Sequence, residues 1–257
     1  MILTDTHTHI YGEEFLDDID SVVLRAEEND VKNIFLPTTE AESISPMLDL
    51  YKTNPKMFYA FVGLYPGSVN KDVSLQLSQI KPYLDDKRIS GIGEIGLDFY
   101  WDRDFVEEQI TAFKTQMQWS KQYNDLPVSI HCRKAFEEIF SCFNDLNYAK
   151  YNGVFHCFGG DINQANKVIE MGFKLGIGGV VTFKNAHLAE IVRQIDLQNI
   201  VLETDAPYIT PAPYRGKRNE PMYIKIIAQK IAEIKEITLE EVAEVTTDTA
   251  MKLLTRQ

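Results

Sequence analysis

The chain has 257 residues, of which 44% are hydrophobic and 25% charged, so it is long enough for one large α/β domain with a sizeable core. Its formal net charge of -12 excludes a protein whose whole surface binds nucleic acid, but it is compatible with a local basic patch. Cys132, Cys142 and Cys157 show no CxxC spacing, which indicates reduced thiols rather than a disulfide framework.

The start of the chain lacks a basic segment followed by a long apolar run. No stretch approaches the roughly 18 apolar residues of a membrane-spanning helix. We therefore expect a soluble, cytoplasmic protein that does not associate with membranes. No obligate protein partner is evident from the sequence.

Short apolar segments alternate with amphipathic segments along the chain. A first strand leads from the apolar start to His7 and His9, and apolar residues at helical spacing follow it as far as Ala26. The later predicted strands are residues 31–37, 58–64, 89–94, 126–131, 153–156, 173–177 and 200–203. The later predicted helices are about residues 44–52, 75–84, 105–123, 136–143, 162–171, 188–194 and 222–235, and a last one that follows a capping-box-like Thr238 and ends near 254.

Strands that alternate with helices form a parallel sheet. Eight strands in a chain of this length favour closure into a (β/α)8 TIM barrel, a single domain over residues 1–257. An open doubly wound sheet is the alternative. No linker or shift in composition marks a second domain.

Histidines cluster at the predicted strand ends, where a barrel carries its chemistry. His7 and His9 end the first strand, His131 ends the fifth, and His156 ends the sixth. The fifth histidine, His187, lies beside a helix start instead. Two imidazoles at one strand end can bind one metal ion.

Two carboxylates share these positions, since Glu94 ends the fourth strand and Asp205 lies just past the eighth. Taken singly, each residue has an ordinary explanation, such as a satisfied core histidine, a helix cap or a turn. Together, nitrogen and carboxylate donors on one rim suit Zn²⁺, Mn²⁺ or a similar divalent ion such as Mg²⁺. A carboxylate between two imidazole clusters, as Glu94 would be, can bridge two ions about 3.5–4 Å apart.

Five segments closely resemble the TatD-type metal-dependent deoxyribonucleases, which are amidohydrolase-like barrels. These segments are DTHTH at 5–9, GEIGLDFYW at 93–101, PVSIHCR at 127–133, FHCFGG at 155–160 and ETDAPYITPAPYRGKRNEP at 203–221. The resemblance implies a divalent metal pair and phosphodiester hydrolysis, often as an exonuclease on DNA. It implies one ion held by His7, His9, Glu94 and Asp205, and another held by Glu94, His131 and His156.

Three positions depart from the family pattern. Tyr65 stands where a histidine usually precedes proline, Lys134 where an aspartate usually follows the arginine, and Gly159 where serine is common. None of them removes a predicted ligand. Tyr65 and Lys134 would both lie near the rim that holds the scissile group.

Catalytic roles follow from the metals. A metal-activated water would attack phosphorus, with Asp205 as its proton acceptor. Glu203 shares the strand face of Asp205, and we interpret it as a supporting hydrogen-bond partner.

The predicted substrate contacts are cationic and aromatic. Arg215, Lys217 and Arg218 form a local cationic loop suited to phosphates, although a solvated loop is the alternative. Arg133 is a further phosphate candidate, and the alternative is that strand alternation turns it away from the site. Aromatic side chains after strand ends are candidates for stacking on unpaired bases or for packing under the rim: Tyr65, Phe99, Tyr100 and Trp101.

Two other functions use the same scaffold. A metal amidohydrolase or lactonase acting on a small amide or ester would use the same ligands, but it has less need of the loop from Arg215 to Arg218. A non-catalytic barrel is expected to have lost ligands, and this chain retains them all.

Overall fold

The computed structural model describes residues 1–100, 103–184 and 187–255. Within these ranges, eight parallel strands alternate with helices, as predicted. The strands are β1 (Leu3–Asp5), β2 (Val31–Pro37), β3 (Phe58–Val62), β4 (Ile89–Asp98), β5 (Val128–Arg133), β6 (Gly153–Phe155), β7 (Lys174–Ile177) and β8 (Ile200–Leu202).

One α-helix follows each strand, and a further helix, α9, ends the described chain. The helices are α1 (Ile19–Glu28), α2 (Ile44–Thr53), α3 (Val73–Ile80), α4 (Val106–Gln122), α5 (Phe136–Leu146), α6 (Ile162–Glu170), α7 (Leu188–Gln194), α8 (Ile224–Lys235) and α9 (Leu239–Leu254). The predicted cap of α9 is present, because the Thr238 side chain accepts a hydrogen bond from the Glu241 N–H. In the part of the chain described, no helix is both long and apolar enough to cross a membrane.

The strands pair in sequence order from β1 to β8. Backbone hydrogen bonds close the ring, since Thr6 N–H donates to Leu202 O (2.9 Å) and Asp205 N–H donates to His7 O (2.8 Å). This closure confirms the predicted (β/α)8 barrel and excludes the open sheet.

Apolar side chains cover both faces of the strands. On β2, Ile34 and Leu36 belong to the main hydrophobic cluster, whereas Phe35 between them belongs to a second one. This division follows from the alternation of side chains along a strand. The second cluster joins four strand residues to the last helix and consists of Phe35, Phe61, Val154, Val201, Ala250 and Leu253.

β4 and β5 continue beyond their predicted ends at residues 94 and 131. Gly96 allows this extension, because a Cβ atom there would lie 1.9 Å from His131 O on the paired strand. The register of the pair also shifts between Ile92 and Ile95. Glu94 and His131 therefore lie within their strands, so the prediction that they end them was wrong.

Asp5 forms hydrogen bonds where the first and last strands meet and the barrel closes. Its fully buried carboxylate accepts hydrogen bonds from Thr204 N–H (2.9 Å), from the Thr204 hydroxyl and from His7 N–H (3.3 Å). Burial raises the pKa of Asp5 to about 8, although the hydrogen bonds from Thr204 favour the ionised form.

We expect Asp5→Ala to lower the free energy of unfolding by about 3 kcal/mol, because it leaves buried donors without an acceptor. Urea denaturation measures this change. Asp49→Ala, on the exposed surface of α2, is the control and should stay within about 0.5 kcal/mol of the parent. Equal stability of the two variants would contradict the role assigned to Asp5.

Candidate metal centre

The fold brings the six predicted ligands to the carboxyl side of the barrel. Three strands contribute them from short segments beyond the strand end, and two contribute them from within the strand. Asp205 adopts a left-handed conformation (φ 57°), which turns the chain directly after β8. The ligands are His7 and His9 after β1, Glu94 in β4, His131 in β5, His156 after β6 and Asp205 after β8.

One group of donor atoms surrounds one oxygen of Glu94. His7 Nε2 and His9 Nε2 lie 3.2 Å apart, at 3.4 and 3.5 Å from Glu94 Oε2. Asp205 Oδ1 completes this first group, at 3.9 Å from His7 Nε2 and 3.7 Å from His9 Nε2.

A second group surrounds the other oxygen of Glu94. His131 Nδ1 and His156 Nε2 each lie 2.9 Å from Glu94 Oε1 and 3.3 Å from one another. The two groups are neighbours, because the rings of His7 and His156 stack with their centroids 3.7 Å apart.

These separations fit a metal centre. Ligands that share one ion at bonds of about 2.0–2.2 Å lie roughly 3–3.6 Å apart. The donor set of imidazole nitrogen and carboxylate oxygen also suits Zn²⁺ or a similar divalent ion. The residues present can therefore hold metal. His187, at the start of α7, belongs to none of the candidate metal-binding groups among the described residues.

Each imidazole directs its second nitrogen to a different partner. In the first group the partners are neutral, since His7 Nδ1 lies 2.8 Å from Ser129 Oγ and His9 Nδ1 lies 3.1 Å from Pro37 O. In the second group they are carboxylates, with His131 Nε2 at 2.9 Å from Asp98 Oδ2 and His156 Nδ1 at 3.6 Å from Glu203 Oε1. Such hydrogen bonds fix the orientation of His7, His9 and His131, whereas the contact of His156 with Glu203 is longer than a hydrogen bond.

Glu203 was predicted as a supporting residue from its position in the sequence, whereas Asp98 and Ser129 were not. Asp98 lies an even number of residues after Glu94, and Ser129 lies two residues before His131, so strand alternation was the available signal. This signal did not reveal Asp98, because β4 was predicted to end at residue 94 and extends to Asp98.

The electrostatics of the site centre on Glu94, which is 4% exposed. Burial disfavours its charge, yet the His156 imidazole and hydrogen bonds from His131 and His156 hold the pKa of Glu94 well below its usual range. Burial raises the pKa of Asp205 to about 6, against the opposing influence of His156 and His9.

A cavity of about 1100 Å³ lies over these ligands, and Tyr65, Arg133, Lys134 and Tyr208 contribute to its walls. The Arg133 guanidinium stacks 3.9 Å from the centre of the Tyr100 ring. Arg133 lines the same cavity as His131, which lies two residues before it on β5, so the alternative that strand alternation turns it away from the site is excluded.

Tyr65 is held firmly in the cavity wall. Its ring meets the His131 ring edge-on, with centroids 5.0 Å apart, and its hydroxyl lies 3.5 Å from Asp98 Oδ2. Only glycine fits at position 67, because a Cβ atom there would lie 2.4 Å from the Tyr65 ring. Burial and the nearby carboxylates of Glu94 and Asp98 raise the pKa of Tyr65, so its hydroxyl stays protonated.

The cationic loop lies outside the described cavity lining. Arg215 is exposed and stacks on Phe183, with 4.0 Å between the guanidinium carbon and the ring centroid. Lys217 is exposed beside the Tyr214 ring. Both side chains present their charge to solvent.

Arg218 has a different environment from its two neighbours. Its guanidinium donates two hydrogen bonds to Asp18 (2.7 and 2.8 Å) and one to Glu220 (3.0 Å). This network ties the loop to the start of α1 and does not favour the predicted phosphate contact. Of the aromatic candidates, Trp101 lies outside the described residues.

The three cysteines form no disulfide, as predicted. Cys132 and Cys157 line the cavity beside the ligating histidines. Burial raises the pKa of both thiols, so they remain protonated.

Comparisons with known proteins agree with this geometry. A Bacillus subtilis protein named "Uncharacterized metal-dependent hydrolase YabD" is 36% identical over 98% of this chain and 98% of its own. A Danio rerio protein named "Putative deoxyribonuclease tatdn3" is 33% identical over 98% of this chain and 97% of its own. The crystal structure of YjjV, a TatD homologue from Escherichia coli, superposes with a TM-score of 0.91 at 28% identity, over 98% of this chain and 97% of that one.

A family model described as "TatD related DNase" matches residues 4–255. This match covers the strands that carry all six predicted ligands, and it confirms the resemblance inferred from the five sequence segments. The chain therefore belongs to the TatD-related DNase family of metal-dependent hydrolases.

Proposed function

We propose that this protein hydrolyses phosphodiester bonds in DNA with the help of two divalent metal ions. The observation that carries the proposal is the position of Glu94, whose two oxygens each face a separate group of imidazole nitrogens below the cavity. Two ions bridged by one carboxylate are suited to displacement at phosphorus. The description of the family and the name of the Danio rerio relative support DNA as the substrate class.

The proposed assignment of ligands follows the two donor groups. His7, His9, Glu94 and Asp205 would hold one ion, and Glu94, His131 and His156 would hold the other. When bound, the ions would lower the pKa of a water and neutralise charge on the phosphoryl group.

Asp205 is the proposed proton acceptor. Its carboxylate lies at the cavity wall beside the first donor group, and its backbone N–H is anchored to His7 O. It takes a proton from the attacking water as the new P–O bond forms and the ester P–O bond breaks. The leaving oxygen then receives that proton from Asp205, which returns to its carboxylate form.

Tyr65 and Arg133 are the proposed substrate contacts within the cavity. The neutral Tyr65 hydroxyl can donate a hydrogen bond to a phosphoryl oxygen, and the Arg133 guanidinium can pair with its charge. Tyr100, which stacks on Arg133 and is 51% exposed, offers a ring face to an unpaired base.

Arg215 and Lys217 are the proposed contacts for phosphates farther along the strand. Both are exposed cations that stack on aromatic rings, in a protein whose net charge is -12. Arg218 is left out of this set, because Asp18 and Glu220 already bind its guanidinium.

The proposal is tested by a panel of substrates with Mg²⁺, Mn²⁺ or Zn²⁺ supplied in turn. Single-stranded DNA and a simple phosphodiester should be hydrolysed, whereas a lactone and a cyclic amide should not. Turnover of the lactone or amide with neither phosphodiester cleaved would replace the proposal by the amidohydrolase alternative.

Metal content tests the bridging role of Glu94. We expect the parent to retain two divalent ions per chain after dialysis and Glu94→Gln to retain less than one, because a neutral amide replaces a ligand shared by both ions. Elemental analysis measures the ratio. His187→Gln is the control and should match the parent, so equal depletion of the two variants would contradict the assignment.

Turnover tests Asp205. We expect Asp205→Asn to fold normally and to lose about 10²- to 10⁴-fold in kcat on single-stranded DNA, the usual contribution of a general base. Asp49→Asn, on the exposed face of α2, is the matched control. Near-parental turnover by Asp205→Asn would remove this carboxylate from the mechanism.

Salt dependence tests Arg215 and Lys217. Each phosphate contact on a single strand contributes a slope of about -0.7 to log K against log salt, so Arg215→Gln/Lys217→Gln should flatten the slope by about 1.4. Fluorescence anisotropy with a long oligonucleotide measures it, and hydrolysis of the simple phosphodiester should hardly change. Lys32→Gln/Lys56→Gln, at the opposite end of the barrel, is the charge-matched control. If both double variants bind with the parental slope, the loop makes no phosphate contact.

A further inference from the structure

Asp98 is a buried carboxylate whose orientation is fixed on every side. It is the last residue of β4, and its side chain is 2% exposed. Oδ1 accepts a hydrogen bond from Tyr100 N–H (2.9 Å), and the Gln109 side chain accepts one from Asp98 N–H (3.0 Å). Oδ2 is thereby aimed at His131 Nε2, 2.9 Å away.

This contact decides which nitrogen of His131 is available as a ligand. His131 lies between two carboxylates, with Glu94 Oε1 2.9 Å from Nδ1 and Asp98 Oδ2 2.9 Å from Nε2. Because Glu94 would bind the same ion as His131, an ion would replace the proton on Nδ1, and Asp98 would keep the proton on Nε2. Nδ1 is the atom that faces Glu94 Oε1 and His156 Nε2. The other three predicted histidine ligands direct Nε2 into the site, so His131 is the exception.

Metal binding by the second donor group depends more on outer carboxylates than metal binding by the first. The first group contains four side chains, including the carboxylate of Asp205, and its imidazoles have neutral outer partners. The second contains three side chains, and both of its imidazoles face an outer carboxylate. A carboxylate that accepts from a ligating imidazole makes that ligand more basic and strengthens metal binding.

We infer that Asp98 is a positioning residue that selects Nδ1 of His131 as a metal ligand and so sets the affinity of the second ion without touching it. The inference rests on the two-ion site proposed above. Loss of Asp98 should weaken binding of the ion held by the second donor group and leave binding of the ion held by the first donor group unchanged.

Calorimetric titration of the metal-free protein with Mn²⁺ tests the inference without any substrate. Asp98→Asn keeps the side-chain shape and an acceptor for Tyr100 N–H, but it removes the charge beside His131. We expect the second equivalent of Mn²⁺ to bind about 10- to 100-fold more weakly and the first to bind as in the parent. Asp98→Ser, which is smaller and also uncharged, should show the same pattern if the asparagine variant is unstable.

Ser129→Ala is the matched control, because Ser129 is the outer partner of His7 in the first group. It should weaken the first equivalent and spare the second. Thermal melting of each variant separates a general loss of structure, which would weaken both equivalents together, from the selective loss expected here.

Two outcomes would overturn the inference, and they differ in what else they remove. If the parent binds two ions and the Asp98 variants bind both with parental affinity, or lose both equally, Asp98 has no positioning role and the proposed function stands. If the parent binds a single ion, the two-ion proposal and the inference about Asp98 fail together.

Discussion

The metal centre depends on the groups that compensate the charge of one buried carboxylate, Glu94. Removing an ionised Glu94 from water costs several kcal/mol unless opposite charge or donors replace the solvent. Here His7, His9, His131 and His156 each place a ring nitrogen within 3.5 Å of its oxygens. The same arrangement presents two sets of donor atoms to divalent ions, so the feature that makes burial of Glu94 tolerable also makes the centre suited to metal.

The barrel supplies this arrangement by joining distant parts of the chain. His7 and Asp205 are neighbours only because β1 pairs with β8 at the closing seam, where Asp5 binds Thr204. Gly96 lets β4 run beside β5 far enough to carry Asp98 to His131. Outer hydrogen-bond partners then hold His7, His9 and His131 in one orientation, which lowers the cost of reorganisation when an ion binds.

Charge is distributed unevenly between the site and the rest of the surface. The chain as a whole is acidic, yet Arg133 lines the cavity, and Arg215 and Lys217 are exposed on the loop after β8. Each of these three cations stacks on an aromatic ring. An acidic surface with a few local cations agrees with the function proposed above, because it limits general attraction of polyanions while leaving sites that can pair with phosphate.

The alternation of strands and helices, the barrel and the six candidate ligands could all be predicted from the amino-acid sequence, because hydrophobic periodicity and position relative to strand ends are local properties. Three features required the tertiary structure. The extension of β4 and β5 depends on a close approach of Gly96 to His131 on the neighbouring strand. The choice of Nδ1 in His131 depends on its contact with Asp98. The guanidinium of Arg218 is hydrogen-bonded to Asp18, which lies 200 residues earlier in the chain. Hydrogen-bond partners of this kind are set by which strands and loops meet in space, whereas strand alternation shows only which side chains share a face.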